Sequence, residues 1–268
     1  MTNGRIERPG ASIYYEVTGS GPALVLAHGL GGNHISWWQQ VPYFAERYTC
    51  ITFSHRGFAP SRSEHPDPAE FSGDLAALLD HLGIAETRLV AQSMGGWTCL
   101  DFSMRYPDRV RALVMAATPG IVDPNTFDAS NLARLQEWME AHPGAEADLF
   151  RRGIHPAAGE RMAREQPALH YLYLQIDQLS AGLDKTALRT RLMAARTLPA
   201  ARLRELKMPV LFITGAEDIV IPPPMVEILA AIVPGAKLEV VPEAGHSVYF
   251  ERGERFNKVV GEFLGSAL

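Results

Sequence analysis

The 268-residue sequence predicts an α/β protein built on a mostly parallel, doubly wound sheet. Three observations carry this expectation. Short continuous apolar runs recur at Ala23–Ala27, Thr49–Phe53, Thr87–Ala91, Val110–Ala116 and Pro209–Thr214, as strands buried on both faces require. Helical patterns separate them, at Trp37–Arg47, Pro68–Leu82, Trp97–Tyr106 and Pro223–Ile232, the alternation that builds parallel sheets. A small-residue turn, Ala91-Gln92-Ser93-Met94-Gly95-Gly96, joins one such strand to one such helix.

Taken in order, Ser12–Val17 reads as an early strand ended by the turn Gly19-Ser20-Gly21-Pro22. The segment before it, Met1–Ser12, is polar and has no apolar h-region of a secretory signal. Lys237–Val241 adds a last short strand, and Ser247–Leu264 a closing helix. Between Ile121 and Pro199 no strand is expected. That stretch offers helical periodicities broken by Pro and Gly, one capped by Ser130 and carrying Leu132, Leu135, Trp138 and Met139, another capped by Asp184 and carrying Leu188, Leu192 and Ala195. Residues 1–120 and 200–268 are therefore expected to form the core, and 121–199 a helical insertion over the carboxyl edge of the sheet, where open α/β sheets place their ligands.

Composition excludes more than it selects. A formal net charge of -5 gives no attraction to nucleic acid or to an anionic membrane. No apolar run reaches the roughly 18 residues of a membrane span. Two cysteines, Cys50 and Cys99, lie in apolar elements without the spacing of a zinc or redox motif, so both are expected to be buried thiols, and the default setting is a reducing cytoplasm. No His, Asp and Glu cluster has metal-ligand spacing; neither metal nor cofactor is expected. Oligomeric state is left open, a homodimer included.

The chemistry-bearing residues lie at the carboxyl ends of predicted strands. A serine hydroxyl is a weak nucleophile that needs a base, and the base needs an orienting group. Ser93 sits on the strand–helix turn. Asp218 follows the strand Pro209–Thr214, and His246 follows Lys237–Val241. The chain order is Ser, Asp, His. His28-Gly29-Leu30-Gly31-Gly32 bends the backbone after a buried strand; its Leu30 N–H and the Met94 N–H are candidate donors to a developing oxyanion.

On these residues the chain resembles serine hydrolases of the α/β-hydrolase superfamily, in particular the compact bacterial esterase, lactonase and perhydrolase group, from about Ser12 to Phe263. The resemblance implies a sheet of about eight strands with a helical lid. It also implies Ser93 as nucleophile, His246 as general base and acid, Asp218 as its orienter, and Leu30 and Met94 as oxyanion donors. Two stretches depart from the family pattern. Ser54-His55-Arg56-Gly57-Phe58-Ala59-Pro60-Ser61 replaces an Asp-x-Arg-Gly-x-Gly-x-Ser stretch, with Ser54 for the acid and Ala59 for a glycine, and Ala91 stands for a glycine at the elbow.

Competing assignments accompany this one. Asp123 is a rival acid, since some members carry it one strand earlier. His28 is expected to brace its loop; His55 follows a strand but on the wrong loop for a base; His34, His65, His81, His142, His155 and His170 are expected to be solvated or structural. Trp37, Trp38, Trp97, Phe127, Trp138, Phe150, Tyr171 and Tyr173 are the aromatic residues nearest the expected site, and Trp37, Trp97, Trp138, Tyr171 and Val220 are candidate pocket walls. Arg151, Arg152, Arg189, Arg191 and Arg196 are expected on a solvated face. The expected activity is hydrolysis of a small-molecule ester or lactone through an acyl-enzyme. Carbon–carbon bond hydrolysis or cofactor-free perhydrolysis could use the same triad, although Ser247 stands where carbon–carbon hydrolases usually carry tryptophan. A ligand receptor without turnover is the reading from another class. A rate that rises with pH through the histidine range is the expected signature of His246 as base.

Overall fold

The computed structural model describes residues 1–266, so the last two residues of the expected core lie outside it. Eleven strands form: β1 (Thr2–Arg8), β2 (Ala11–Thr18), β3 (Ala23–Ala27), β4 (Thr49–Phe53), β5 (Arg62–Ser63), β6 (Thr87–Gln92), β7 (Val110–Ala116), β8 (Val122–Asp123), β9 (Leu198–Pro199), β10 (Val210–Gly215) and β11 (Lys237–Val241). The main sheet runs β1-β2-β4-β3-β6-β7-β10-β11, with β5 paired to β2. From β4 to β11 every pairing is parallel, and β1, β2 and β5 add antiparallel edges. The α/β-hydrolase fold and the strand count of about eight are thus both met.

Period-two alternation divides the core between the two faces of the sheet. Val25 and Ala27 of β3, Leu89 and Ala91 of β6, and Val210 and Phe212 of β10 pack on one face, against the helices Phe71–His81, Gly95–Arg105 and Pro223–Ile232. Leu24, Leu26, Val90, Leu211 and Ile213 point the other way, onto Trp37, Phe44, Phe256, Val260 and Phe263. Each fully buried aliphatic side chain stabilises the fold by roughly 1.5–3 kcal/mol. Because β3, β6 and β10 are buried on both faces, an unbroken apolar run is the pattern they need.

Several elements differ from expectation. β1 was not anticipated: of its seven residues only Ile6 is buried, so the strand shows no apolar run and exists because β2 offers it a ladder. The expected helix Trp37–Arg47 is a 3₁₀ turn, His34–Trp37, followed by a short helix, Gln40–Phe44. The closing helix is broken at Arg252 into Val248–Glu251 and Gly253–Ser266. Ser130 is not a cap: Asp128 accepts the Asn131 N–H and starts the helix Ala129–Ala141, leaving Ser130 within its first turn. Asp184 does cap its helix, through the Ala187 N–H.

The segment between β7 and β10 is otherwise helical, with helices Ala145–Arg151, Gly159–Glu165, Pro167–Gln178 and Lys185–Ala194. The two-residue strands β8 and β9 pair in parallel at its entry and exit. Its helices rest on the loops at the carboxyl ends of the strands. Trp97 Nε1 donates to the Leu192 carbonyl, Ser180 Oγ accepts the Ala59 N–H, and a Cβ on Gly31 would lie 2.6 Å from the Tyr173 hydroxyl.

Candidate active site

β6 is a central strand, paired to β3 and β7, and all six of its residues are buried. The chain must leave it and enter the helix Gly95–Arg105 within two residues, and Ser93 takes φ +49° to do so. A non-glycine residue there costs of order 1–3 kcal/mol, and the turn is held by Ser93 N–H to Ala116 O at 2.9 Å and Gly96 N–H to Ser93 O at 2.8 Å. Gly95 is obligatory, since a Cβ would collide with the Ala27 carbonyl. Ala91, by contrast, fits as it is, fully buried between Ala27 and Met115.

His246 and Asp218 are brought together from loops after adjacent parallel strands, β11 and β10. Asp218 Oδ2 lies 2.9 Å from His246 Nδ1. Its other oxygen, Oδ1, accepts the N–H groups of Val220 and Ile221 at 2.8 and 2.9 Å. Both side chains are almost wholly buried. The carboxylate fixes the imidazole with Nδ1 as donor, which leaves Nε2 as the free basic nitrogen. The serine turn and the histidine loop are tied by Gln92 Nε2, which donates to the His246 carbonyl at 3.0 Å. Among the described residues no hydrogen bond joins the Ser93 hydroxyl to the imidazole, a contact that often closes only around substrate.

The loop His28–Gly32 runs against the serine, and a Cβ on Gly29 would lie 3.1 Å from Ser93 Cβ. Neither the Leu30 nor the Met94 N–H has a protein acceptor among the described residues, so both are available to an oxyanion. Leu30 and Met94 belong to one apolar cluster with Phe58, Trp97, Leu188 and Leu192. This cluster joins the elbow to the helical segment.

Other expected site residues fall elsewhere. Trp37 is a core residue, fully buried against Tyr249 and Phe256. Trp138 stacks on His142 on the helix Ala129–Ala141, and Tyr171 is 64% exposed. Trp37 thus faces the core and Tyr171 the solvent, neither of them walling the site, while Trp138 is half-buried. Val220 lies beside Asp218, half-buried against the larger core cluster. Trp97 lies in the cluster with Leu30 and Met94. Asp123 accepts the Asn125 backbone and side-chain N–H groups, a capping role that occupies it locally.

His28, His55 and His34 bond to the loops around them. His28 Nδ1 donates to the Gly29 carbonyl at 2.8 Å, so its Nε2 accepts, here from the His55 backbone N–H at 3.0 Å. His55 Nδ1 lies 2.9 Å from that same nitrogen, and its Nε2 lies 2.7 Å from the Thr98 hydroxyl. Burial pushes His28 down to about 3 and His55 well below its ordinary value. Ser54, in place of the family's acid, bonds His34 Nδ1 at 2.9 Å and donates to the Ala59 carbonyl, so its hydroxyl bridges this loop. Arg56 pairs with Asp74 through two bonds of 2.7 Å. Arg151, Arg152 and Arg189 pair with carboxylates at the surface. Arg196 departs from them, with its guanidinium 5.1 Å above the Trp97 ring.

Among the described residues no group of three or more His, Cys, Asp or Glu side chains could hold a metal ion, and no helix is long and apolar enough to cross a membrane.

Known proteins align with the chain over most of its length. BpoC of Mycobacterium tuberculosis, provisionally named a non-heme bromoperoxidase, is 30% identical over 273 residues, covering 95% of this chain and 98% of that protein. The 3-oxoadipate enol-lactonase 2 of Acinetobacter baylyi is 29% identical, covering 89% and 87%. A thermophilic esterase from Thermogutta terrifontis superposes with a TM-score of 0.78 at 24% identity, over 100% of this chain and 99% of that one. The profile of the alpha/beta hydrolase fold matches residues 22–253. With that profile spanning the strands that carry Ser93, Asp218 and His246, the chain belongs to the alpha/beta hydrolase fold family of enzymes.

Proposed function

We propose that the protein hydrolyses the carboxylic ester or lactone bond of a small apolar or aromatic molecule through an acyl-enzyme on Ser93. One observation carries this reading: the serine held at positive φ lies one residue from Gln92, which is tied to the backbone of a histidine whose Nδ1 is already engaged by Asp218. In the first half-reaction Ser93 Oγ attacks the carbonyl carbon while His246 Nε2 takes the hydroxyl proton. The carbonyl oxygen becomes an oxyanion against the Leu30 and Met94 N–H groups. Collapse expels the alkoxide, which takes the proton from His246. Water then attacks the acyl-enzyme with His246 again as base, and Ser93 is restored. Removing one oxyanion donor in such a site costs roughly 10²–10³ in rate.

The helical segment 121–199 serves as the lid. Its contacts with Trp97, Ala59 and Gly31 support that role. The similarity to an enol-lactonase supports lactones as substrates. The similarity to BpoC favours a second reaction on the same acyl-enzyme, in which hydrogen peroxide replaces water and releases a peracid. Two buried thiols, Cys50 and Cys99, suit a reducing compartment such as the cytoplasm.

The test is turnover of an ester and lactone panel of graded acyl length, with fluorophosphonate labelling. Ser93→Ala is expected to abolish labelling and to lower kcat at least about 10⁴-fold. Labelling elsewhere, or undiminished turnover by the variant, rejects the reading.

A further inference from the structure

We propose that Glu251 is a positioning residue for His246, acting through the Gly245 amide, and that its charge sets how firmly the histidine loop is held. Glu251 ends the short helix Val248–Glu251 and is only 4% exposed. Its Oε1 accepts the Gly245 N–H at 2.6 Å, one residue before His246. Its Oε2 is buried with no partner among the described residues. A carboxylate with one oxygen spent on a single backbone amide is a costly way to satisfy one donor, unless the amide must be held.

Gly245 is gripped from three directions. A Cβ there would lie 3.3 Å from Glu251 Oε1, 3.7 Å from Gly159 Cα and 4.0 Å from the Glu217 carbonyl. On either side of it the Ala244 carbonyl accepts the Glu217 N–H and the His246 carbonyl accepts from Gln92 Nε2; Glu251 supplies the bond at Gly245 itself, and a shift there moves the imidazole relative to Ser93. Misplacement of about 1 Å can cost roughly 10²-fold in rate. An ionised acceptor holds an N–H about twice as strongly as a neutral one.

The groups facing Glu251 make its charge adjustable. Arg252 follows it on the same turn, and its guanidinium donates to the Glu251 and Glu243 carbonyls. Glu217 and Asp218 approach from the loop after β10, and Gln166 donates to the Glu251 carbonyl from the helical segment. Across a cleft of about 260 Å³ lie Arg161, Arg152, Asp148 and Glu160, with Arg161 already bound to Glu217. Tyr173 lies near enough to feel the carboxylate's charge. Burial, with Asp218 and Glu217 adding to it, pushes the Glu251 carboxyl up to about 7, against the opposing pull of the Gly245 amide and Arg252. Ionised above that pH, it grips Gly245 more firmly; neutral below it, it loosens the loop.

The kinetic arm of the test rests on the ester-hydrolase reading, while the exchange arm does not. In the full-length protein, Glu251→Ala is expected to lower kcat for an aryl ester at pH 8 by roughly 10- to 100-fold, with KM within about twofold, because substrate contacts are untouched. Glu251→Gln keeps a neutral acceptor for Gly245, restores only part of that rate, and removes one ionisation from the acid limb. Hydrogen exchange of the Gly245 amide should quicken in Glu251→Ala. In the wild type it should be better protected, relative to the ordinary base-catalysed rise, above pH 7 than below it. Unchanged kcat in Glu251→Ala, or unchanged Gly245 exchange, overturns the proposal. Should that variant not fold, a Glu251→Gln acid limb and exchange profile identical to wild type overturn it equally. Faster Gly245 exchange in a protein with no ester turnover would reject the ester reading and leave the positioning role standing.

Discussion

The buried pair His28–His55 and the buried His246 are built differently, and only the second has the geometry a proton carrier needs. In the pair His28–His55, the ring nitrogens are spent on neutral partners: the Gly29 carbonyl, the His55 backbone N–H and the Thr98 hydroxyl. No carboxylate reaches either ring, and burial, helped by neighbouring His and Lys charges, keeps both neutral. His246 differs in one contact. Its Nδ1 meets a carboxylate that is itself bound to two backbone N–H groups, so an imidazolium formed there is stabilised as it forms. Burial makes a histidine inert; burial beside a fixed anion with one nitrogen open makes it a base. The first site braces the backbone around Leu30 and Ser54, and the second faces the serine turn.

The contrast can be broken most sharply at Asp218. Asp218→Asn keeps the shape but removes the charge, and its amide leaves the imidazole in the wrong tautomer. It is expected to lower kcat on the order of 10³–10⁴-fold, measured by steady-state turnover with folding checked by circular dichroism. A loss of less than tenfold would place His246 in the same class as His28.

Acid unfolding sharpens the other side. The folded-state value of His28 is depressed from 6.5 to about 3, so the unfolded chain binds that proton first. The stability this group gives is fully present above pH 6.5 and is lost as pH falls from there through about 3. The window corresponds to up to about 5 kcal/mol. Urea unfolding between pH 7 and 4 should show that slope, and His28→Asn should flatten it, whatever the overall stability of the variant. Equal slopes would mean that the ring is not held neutral.

The smallest effect is expected at Thr98. Thr98→Val removes the hydroxyl that satisfies His55 Nε2 and strands a buried polar nitrogen, costing about 1–3 kcal/mol. Thermal melts should record that loss while the pH dependence of kcat/KM stays unchanged, since neither ring carries the reaction's proton. A displaced pH profile would show that the two sites communicate.

Legibility follows the range of the interactions concerned. β3, β4, β6, β7 and β10 announce themselves because double burial leaves few polar positions in the run, Arg88 and Arg111 being the charged exceptions. Ser93 is legible because a strand-to-helix turn in two residues demands small neighbours, Gly95 above all. β1 is hidden by its own exposure, as only Ile6 reports a core. Ser130 and Asp128 have similar capping power, and Asp128 caps the helix because the chain turns there out of the 3₁₀ segment Pro124–Thr126. The aromatic residues misled more seriously. Trp37 and Tyr171 look alike in sequence as pocket candidates, yet one is wholly buried and the other largely exposed. Arg196 resembles Arg189 in sequence, but Arg189 pairs with Glu146 while Arg196 lies over Trp97.

The sequence alone determined the parallel centre of the sheet, the class of fold and the order in which Ser93, Asp218 and His246 arrive at strand ends, because these depend on local periodicity and on turns that few residues tolerate. Tertiary structure decided which buried histidine meets a carboxylate, which aromatic rings face core, and that Glu251 reaches back to Gly245. Those outcomes turn on contacts between segments far apart in the chain, such as His28 with His55 across 27 residues and Gln92 with His246 across 154. No local pattern encodes such distances; only packing fixes them.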